Sequence, residues 1–442
     1  MDVGFFSAQE IDKVNRTAEK KNVPNMPYCG KCKLFKGECT HPKMKPTGGG
    51  RKKILIIGEA PGEKEDEYGR QFIGPAGKVL KKALADIGIS LHKDCRKVNA
   101  VNCRPPKNRT PTSLEIECCR PIIWNEIKKN KPKVIIVTGI SAFKAIAGMH
   151  WNNDSIGRAR GFVIPDREHK AWICPTFHPS YILRLKDEFK RDDFIEAVFF
   201  KKDLQQAKNH LDVDFPNWPE NEEDQIEPIL DPRDTVKYLK KIILDKPQVV
   251  GIDFETTALN PFSGTHRIVT CAIATDELSA TSFFVKKSSR PLLIKILKDR
   301  RIGKIAHNIQ FEEIWSRVVF GQEISSWIWD SMVAAHILDN RGRIASLKVQ
   351  AYLNFGIPFY NELVESYLKG TSPKNKLSGT HKRNNIFALV KENPVALLKY
   401  NGMDAMLCKR LAMVQAERLG IMNLVHYFEQ HKQERWDEWL KL

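Results

Sequence analysis

Four groups of residues in this 442-residue chain have the types and spacing to do chemistry. The first is the turn Gly58-Glu59-Ala60-Pro61-Gly62-Glu63-Lys64-Glu65-Asp66, which follows an apolar run at 54–57. Carboxylates crowded into one loop repel unless something uses their charge, the plain alternative being a solvated acidic turn. Gly58 and Gly62 let the backbone come close to a ligand. The second group is Cys29 and Cys32, a spacing that lets two thiolates face one metal centre, with Cys39 and His41 close enough in sequence to complete a zinc site. The third is Asp253-Phe254-Glu255, where strand alternation puts both carboxylates on one face, as two oxygens must be to meet a divalent cation. The fourth is Tyr400 and Asp404, four apart in a helical stretch and therefore on one helix face.

These groups need elements to hold them. The run 54–57 is too short and too apolar for an amphipathic helix and predicts a strand buried on both faces of a parallel sheet. Helical spacing over 78–88 ends at Gly88. Further apolar strands are expected at 98–101, 134–138 and 172–176, separated by helices near 114–129 and 141–147. Alternating strands and helices imply a parallel sheet covered on both faces, with its site at the carboxyl ends of the strands. The turns at those ends carry Glu59, Asn102-Cys103-Arg104-Pro105-Pro106 and His178-Pro179-Ser180.

The chain has a net charge of +18, 42% apolar and 28% charged residues, as expected of globular domains. The charge is unevenly spread: residues 1–210 carry 40 basic against 24 acidic side chains, 211–232 carry none against eight, and 233–442 carry 31 against 21. This divides the chain into a domain over 1–210, an acidic linker with four prolines over 211–232, and a second domain over 233–442. Two basic bodies suit a polyanionic partner, of which nucleic acid is the foremost. Eight of the ten cysteines precede residue 175, a clustering that argues for metal or cluster ligation over disulfides. No membrane span and no secretory signal are read, so the expected location is cytoplasmic and no membrane partner is expected. Residues 1–22 read as a polar helical arm, and 424–442 as a charged helix with Trp436 and Trp439.

GEAPGEKED with GRQFIGPAG, then NAVNCRPPKNRTP, then FHPSYILR closely resemble the three signature regions of the family 4, iron-sulfur type uracil-DNA glycosylases, over roughly residues 26–205. The resemblance implies a uracil-glycosylase-like parallel sheet sandwich and a 4Fe-4S cluster held by Cys29, Cys32, Cys103 and Cys119, with Cys118 beside the last as the other choice. Excision requires a flipped nucleotide, a stacking surface, readout of the Watson-Crick edge and stabilisation of a departing anion. On this resemblance Phe72 stacks the base, Asn99 reads its edge, His178 donates to the uracil oxygen as charge develops, Glu59 orients a water, and Gly58 and Gly62 line the pocket.

Asp253 and Glu255, the block Lys304 to Glu312, and Tyr400 with Asp404 resemble, in that order, the proofreading 3′-5′ exonucleases of the DEDD superfamily. Trp329-Asp330-Ser331-Met332 adds a likeness to the exonuclease domains of family A DNA polymerases. This implies a ribonuclease-H-like mixed sheet, two Mg²⁺ or Mn²⁺ ions on Asp253, Glu255, Glu312 and Asp404, and a water oriented by Tyr400. The second block usually ends in aspartate; Glu312 moves that carboxylate by about one methylene. No polymerase motif follows, so the expected partners are single-stranded 3′ ends, uracil-containing DNA and a separate polymerase catalytic subunit. The leading reading is a proofreading-type exonuclease joined to a uracil-excising module, in replication or repair. In the competing one, the first half is a non-catalytic module that docks DNA or polymerase.

Overall fold

The computed structural model describes residues 27–148, 155–262, 265–360, 362–368 and 384–431. The expected arm over 1–22 and the residues Trp436 and Trp439 lie outside them. The chain forms two compact units, Met1–Pro216 and Asn217–Leu442.

The first unit is built on strands β1 (Ile54–Gly58), β2 (Cys95–Asn99), β3 (Val134–Thr138), β4 (Ile164–Asp166) and β5 (Ala171–Thr176), in the order β2-β1-β3-β5-β4. All neighbours are parallel except β4, which pairs antiparallel with β5. Ile54, Ile56, Val134, Ile136 and Cys174 pack with Leu80, Leu84, Ile182, Phe200 and Leu204, so one face is covered by the helices Pro75–Asp86, Pro179–Phe189 and Ile195–Asn209. The helices Ser113–Asn130 and Ile140–Ala147 supply further buried residues, among them Ile116, Ile123 and Phe143. The α/β class follows, with the uniformly apolar strands such a sheet demands. β2 starts three residues before the apolar pattern does, because its polar residues find partners. Arg96 pairs with Glu126 at 2.7 Å, and the buried Lys97 donates to His92 Nδ1 at 2.8 Å.

The second unit is a mixed sheet of β6 (Ile226–Ile229), β7 (Val249–Thr256), β8 (Ile268–Ala274), β9 (Ala280–Phe284), β10 (Gly303–Ala306) and β11 (Trp327–Asp330). The order is β11-β10-β7-β8-β9-β6, with β8 antiparallel to both neighbours and the other pairs parallel. From β9 to β11 this is the ribonuclease-H-like arrangement expected of the domain. Alternation along β7 sorts its side chains. Val250, Ile252 and Phe254 pack with Leu239, Leu293 and Trp315, whereas Val249 joins the cluster around the long helix Pro394–Arg418. Asp253 and Glu255 share the parity of Val249 and therefore look toward that helix.

The structure corrects the linker. Residues 211–216 belong to the first unit, where Leu211 and Phe215 pack on its core. From Asn217 the chain is already in the second unit: Glu222–Gln225 is a 3₁₀ turn, and β6 pairs with β9 at the sheet edge, where Pro228 is tolerated. Two of the acidic residues here, Glu222 and Asp224, meet cations far off in sequence, Arg410 and Lys399. Glu222 and Arg410, each 4% exposed, pair at 2.9 Å across 188 positions, and Arg410 Nε also donates to the Glu277 carbonyl. The same helix crosses β6 so closely that a Cβ on Gly402 would lie 2.2 Å from Ile226 Cγ2.

Removing one partner of a buried ion pair leaves an uncompensated charge, so Arg410→Ala is expected to destabilise the second unit by about 3–5 kcal/mol. Replacing both partners by apolar residues of similar volume should restore most of that loss. Denaturant unfolding followed by circular dichroism measures both; a loss below about 1 kcal/mol for the single variant would contradict the assigned role.

Candidate active sites

At the carboxyl end of β1, Gly58 lies level with Asn99 of β2. A Cβ on Gly58 would fall 2.4 Å from Asn99 Oδ1 and 2.8 Å from Phe72 Cζ, so the absence of a side chain is what lets the amide and the ring come together over the strand end. Asn99 is 3% exposed, and its side-chain amide makes no hydrogen bond to the described residues, leaving its donor and acceptor for a ligand. Phe72 holds φ at 57°, uncommon for a bulky residue and a mark of a constrained position. The constraint is visible: Glu65 Oε1 accepts from the amides of Ile73 at 3.0 Å and Gly74 at 2.7 Å, pinning the chain just beyond the ring.

The rest of the acidic turn is likewise put to use. Asp66 accepts from the amides of Thr40 and His41, and Glu63 pairs with Arg104. Only Glu59 turns toward the strand ends, where Ser141 Oγ donates to its Oε2 at 2.8 Å. That bond ties the β1 turn to the turn after β3. Gly139 in the latter would bring a Cβ to 3.0 Å from His178 Cβ, so the turn after β5 closes on the same place. His178 Nδ1 accepts from the Ser180 amide at 3.2 Å and contacts its hydroxyl at 2.6 Å, which leaves the proton on Nε2. Burial, helped by Arg184, pushes the imidazole down to about 4, so it is neutral at pH 7 and presents Nε2–H as a donor. Gly62 lies against the Glu65 carboxylate, away from Phe72 and Asn99 in contact terms.

Cys29 and Cys32 open and close a single helical turn, and the Tyr28 amide donates to the Cys118 carbonyl of the Ser113–Asn130 helix. Cys103 and Cys119 are buried. Lys43 N–H donates to Cys103 Sγ at 3.2 Å, as donors commonly do for cluster thiolates. Burial raises these thiols, to about 11 for Cys103 and about 12 for Cys119, so ligation would have to displace their protons. Cys39 and His41, the other candidate ligands, are engaged elsewhere: His41 Nδ1 contacts the Asp66 carbonyl and Cys39 Sγ donates to the Arg104 carbonyl at 3.3 Å. Among the described residues, a group whose ligand atoms all lie within 4.8 Å of one another is acidic.

That acidic group is Asp253, Glu255 and Asp404. Asn401, fully buried one residue after Tyr400, donates to Asp253 Oδ2 at 2.7 Å and accepts from Ser282, fixing the strand carboxylate in place. Glu312, 2% exposed, stands outside the 4.8 Å set but within reach of the field of Asp253 and Glu255. Its Oε2 is buried with no partner, an orphan atom that suits a cation ligand. Asp330 accepts from the amides of Asn308 and Ile309, which anchors the start of the helix carrying Glu312. Burial first and mutual repulsion second raise Asp253, Glu255 and Glu312 well above the ordinary carboxylate range. Tyr400 and Asp404 do share a face, and Lys348 bridges them, 2.8 Å from Tyr400 Oη and 2.5 Å from Asp404 Oδ2; Tyr360 Oη donates to Asp404 Oδ1. Lys348, Tyr360, Asn401 and Ser141 were not foreseen. No spacing signals Lys348 or Tyr360, whereas Asn401 lies inside the Tyr400–Asp404 block.

Two family descriptions match the chain: the uracil DNA glycosylase superfamily over residues 46–201 and a 3′-5′ exonuclease over residues 228–413. A type-4 uracil-DNA glycosylase of Pyrobaculum aerophilum is 37% identical over 180 residues, covering 39% of this chain and 88% of that protein. A DNA polymerase of Bacillus phage SP01 is 27% identical over 368 residues, 76% of this chain but 38% of the polymerase. The solved structure of Brucella melitensis NrnC bound to pGG covers 49% of this chain and 93% of its own at 19% identity, with a TM-score of 0.30, too low to speak for the fold. Among the described residues no helix is long and apolar enough to cross a membrane.

Carboxyls raised on folding bind more protons folded than unfolded, so they stabilise below their unfolded range near pH 4 and lose that stability as pH rises through the raised value. In chelator, the thermal midpoint relative to that of a Glu255→Gln/Glu312→Gln variant is therefore expected to fall as pH rises above about 4, and saturating Mg²⁺ or Mn²⁺ to reverse the fall. A difference flat with pH in chelator would contradict the raised carboxyls.

Proposed function

The chain belongs to the uracil DNA glycosylase superfamily, in its type-4 branch, with a 3′-5′ exonuclease domain fused behind, and from this premise we propose that it both excises uracil from DNA and trims DNA from the 3′ end. The observation that carries the nuclease half is the convergence of Asp253, Glu255 and Asp404 within 4.8 Å, with Tyr400 on the same helix face. Asp253, Glu255 and Asp404 would hold one divalent ion and Glu312 would contribute to a second. Bound there, two such ions supply a nucleophilic water and stabilise charge on the leaving oxygen. The protein's own part is to fix Asp253 through Asn401, to keep the site dry on its buried side, and to set the Tyr400 hydroxyl against the attacking water. Proofreading beside a polymerase catalytic domain fits the similarity to the phage polymerase.

For the first unit, a flipped uracil enters at the strand end by Gly58, stacks on Phe72 and presents its edge to Asn99. As the N-glycosidic bond breaks, neutral His178 donates through Nε2 to the oxygen where negative charge gathers. Glu59, held by Ser141, keeps one oxygen free to orient water at the sugar. Cys29, Cys32, Cys103 and Cys119, with Cys118 as the other choice for the last, would hold a 4Fe-4S cluster, which would join the amino-terminal turn to the helix Ser113–Asn130.

The two activities separate on one gel. With uracil-containing duplex in chelator, abasic sites are expected to form and the strand to stay full length; with Mg²⁺, a uracil-free 3′-labelled single strand is expected to shorten. His178→Ala and Asn99→Ala should each cost about 10²–10³-fold in excision while sparing the nuclease, and Asp404→Ala the reverse. Failure to form abasic sites under any condition would leave the first unit a docking module.

A further inference from the structure

The centre holds Asp253, Glu255 and Asp404 within 4.8 Å, and Lys348 is the cation whose charge acts on both Asp253 and Glu255 while its Nζ touches Asp404. We propose, building on the exonuclease reading, that Lys348 is a built-in counter-cation which a divalent ion must displace from Asp404, and which on displacement keeps hold of Tyr400 and aims its hydroxyl at the attacking water.

The geometry makes this exchange specific. Both oxygens of Asp404 carry a donor, Tyr360 Oη on Oδ1 and Lys348 Nζ on Oδ2. A carboxylate oxygen has a second lone pair, so a metal ion can share Oδ1 with a neutral hydroxyl. On either oxygen it would stand beside the ammonium that Oδ2 holds at 2.5 Å, two cations side by side in a site where Lys348 is 20% and Asp404 7% exposed. Lys348 is therefore the group that yields. It has somewhere to go: its Nζ lies 2.8 Å from Tyr400 Oη and 4.5 Å from the centre of that ring, so it can leave Asp404 while keeping its bond to the phenol and its place over the ring face. An ammonium that donates into the phenol oxygen occupies a lone pair there. The phenol O–H then keeps its proton to donate, and in the exonuclease reading its acceptor is the attacking water. Lys348 sits on the helix Leu347–Phe355, outside all three motif blocks, and acts as a positioning residue through Tyr400 and Asp404.

The test uses the full chain stripped of metal and titrated with Mn²⁺, read by electron paramagnetic resonance. Lys348→Met keeps the aliphatic length and removes the charge. It is expected to bind Mn²⁺ at least about fivefold more tightly, the lower end of ordinary coupling between competing ligands, to lower the thermal midpoint in chelator, and to lower kcat with KM little changed. Lys348→Arg, which grips Asp404 with a bidentate fork, should weaken Mn²⁺ binding and keeps the test decisive should the methionine variant misfold. Unchanged or weaker Mn²⁺ binding in Lys348→Met, or unchanged binding in Lys348→Arg, would overturn the proposal. If Asp404→Asn left wild-type Mn²⁺ binding intact, the metal-centre reading beneath it would fall instead.

Discussion

The second unit is built around the cost of holding carboxylates out of water. Asp253, Glu255 and Asp404 lie within 4.8 Å of one another, Glu312 is buried beside them, and one ammonium, Lys348, stands among them. Like charges so placed favour protons over ionisation unless cations arrive, which is the condition a divalent-ion site exploits. The surrounding packing serves that arrangement. β7 alternates so that its apolar residues face one layer and its two acids the other. The long helix lies so close that Gly402 is required against Ile226, which brings Asn401 into bonding range of Asp253. Asp330 does its work at one remove, holding the helix from which Glu312 projects.

The first unit meets a similar demand by other means. Its candidate site is a close approach of an amide and an aromatic ring rather than a charge cluster, and the approach is possible because Gly58 has no side chain between Asn99 and Phe72. The left-handed backbone at Phe72 is sustained by Glu65, whose carboxylate binds the next two amides. Charge in the turn is thus spent on backbone geometry, and burial keeps His178 neutral and able to donate. Three turns, after β1, β3 and β5, converge through Ser141 and Gly139, as a parallel sheet allows only at its carboxyl edge.

Much of this was legible because the chemistry is local in sequence. Asp253 and Glu255 are two apart on a strand, Tyr400 and Asp404 four apart on a helix, and their periods alone predict shared faces. What escaped depends on distant partners. The acidic stretch 211–232 reads as a self-repelling tether until Arg410, 188 residues on, is seen to neutralise Glu222. Lys348 and Tyr360 lie between motifs, and nothing in their spacing announces that Asp404 will receive both. Cys39 and His41 sit at a plausible ligand spacing, yet backbone carbonyls claim them. β2 begins early because Arg96 and Lys97 find partners that an apolar pattern does not register.

The central claim is that the acids of the second unit form a divalent-cation centre from which Lys348 is displaced. Anomalous diffraction from a crystal soaked in Mn²⁺ tests it most directly. The account predicts a peak within bonding distance of Asp253, Glu255 and Asp404, with the Lys348 ammonium withdrawn from Asp404 Oδ2 and still against Tyr400. No peak, with Lys348 unmoved on Asp404, would contradict it.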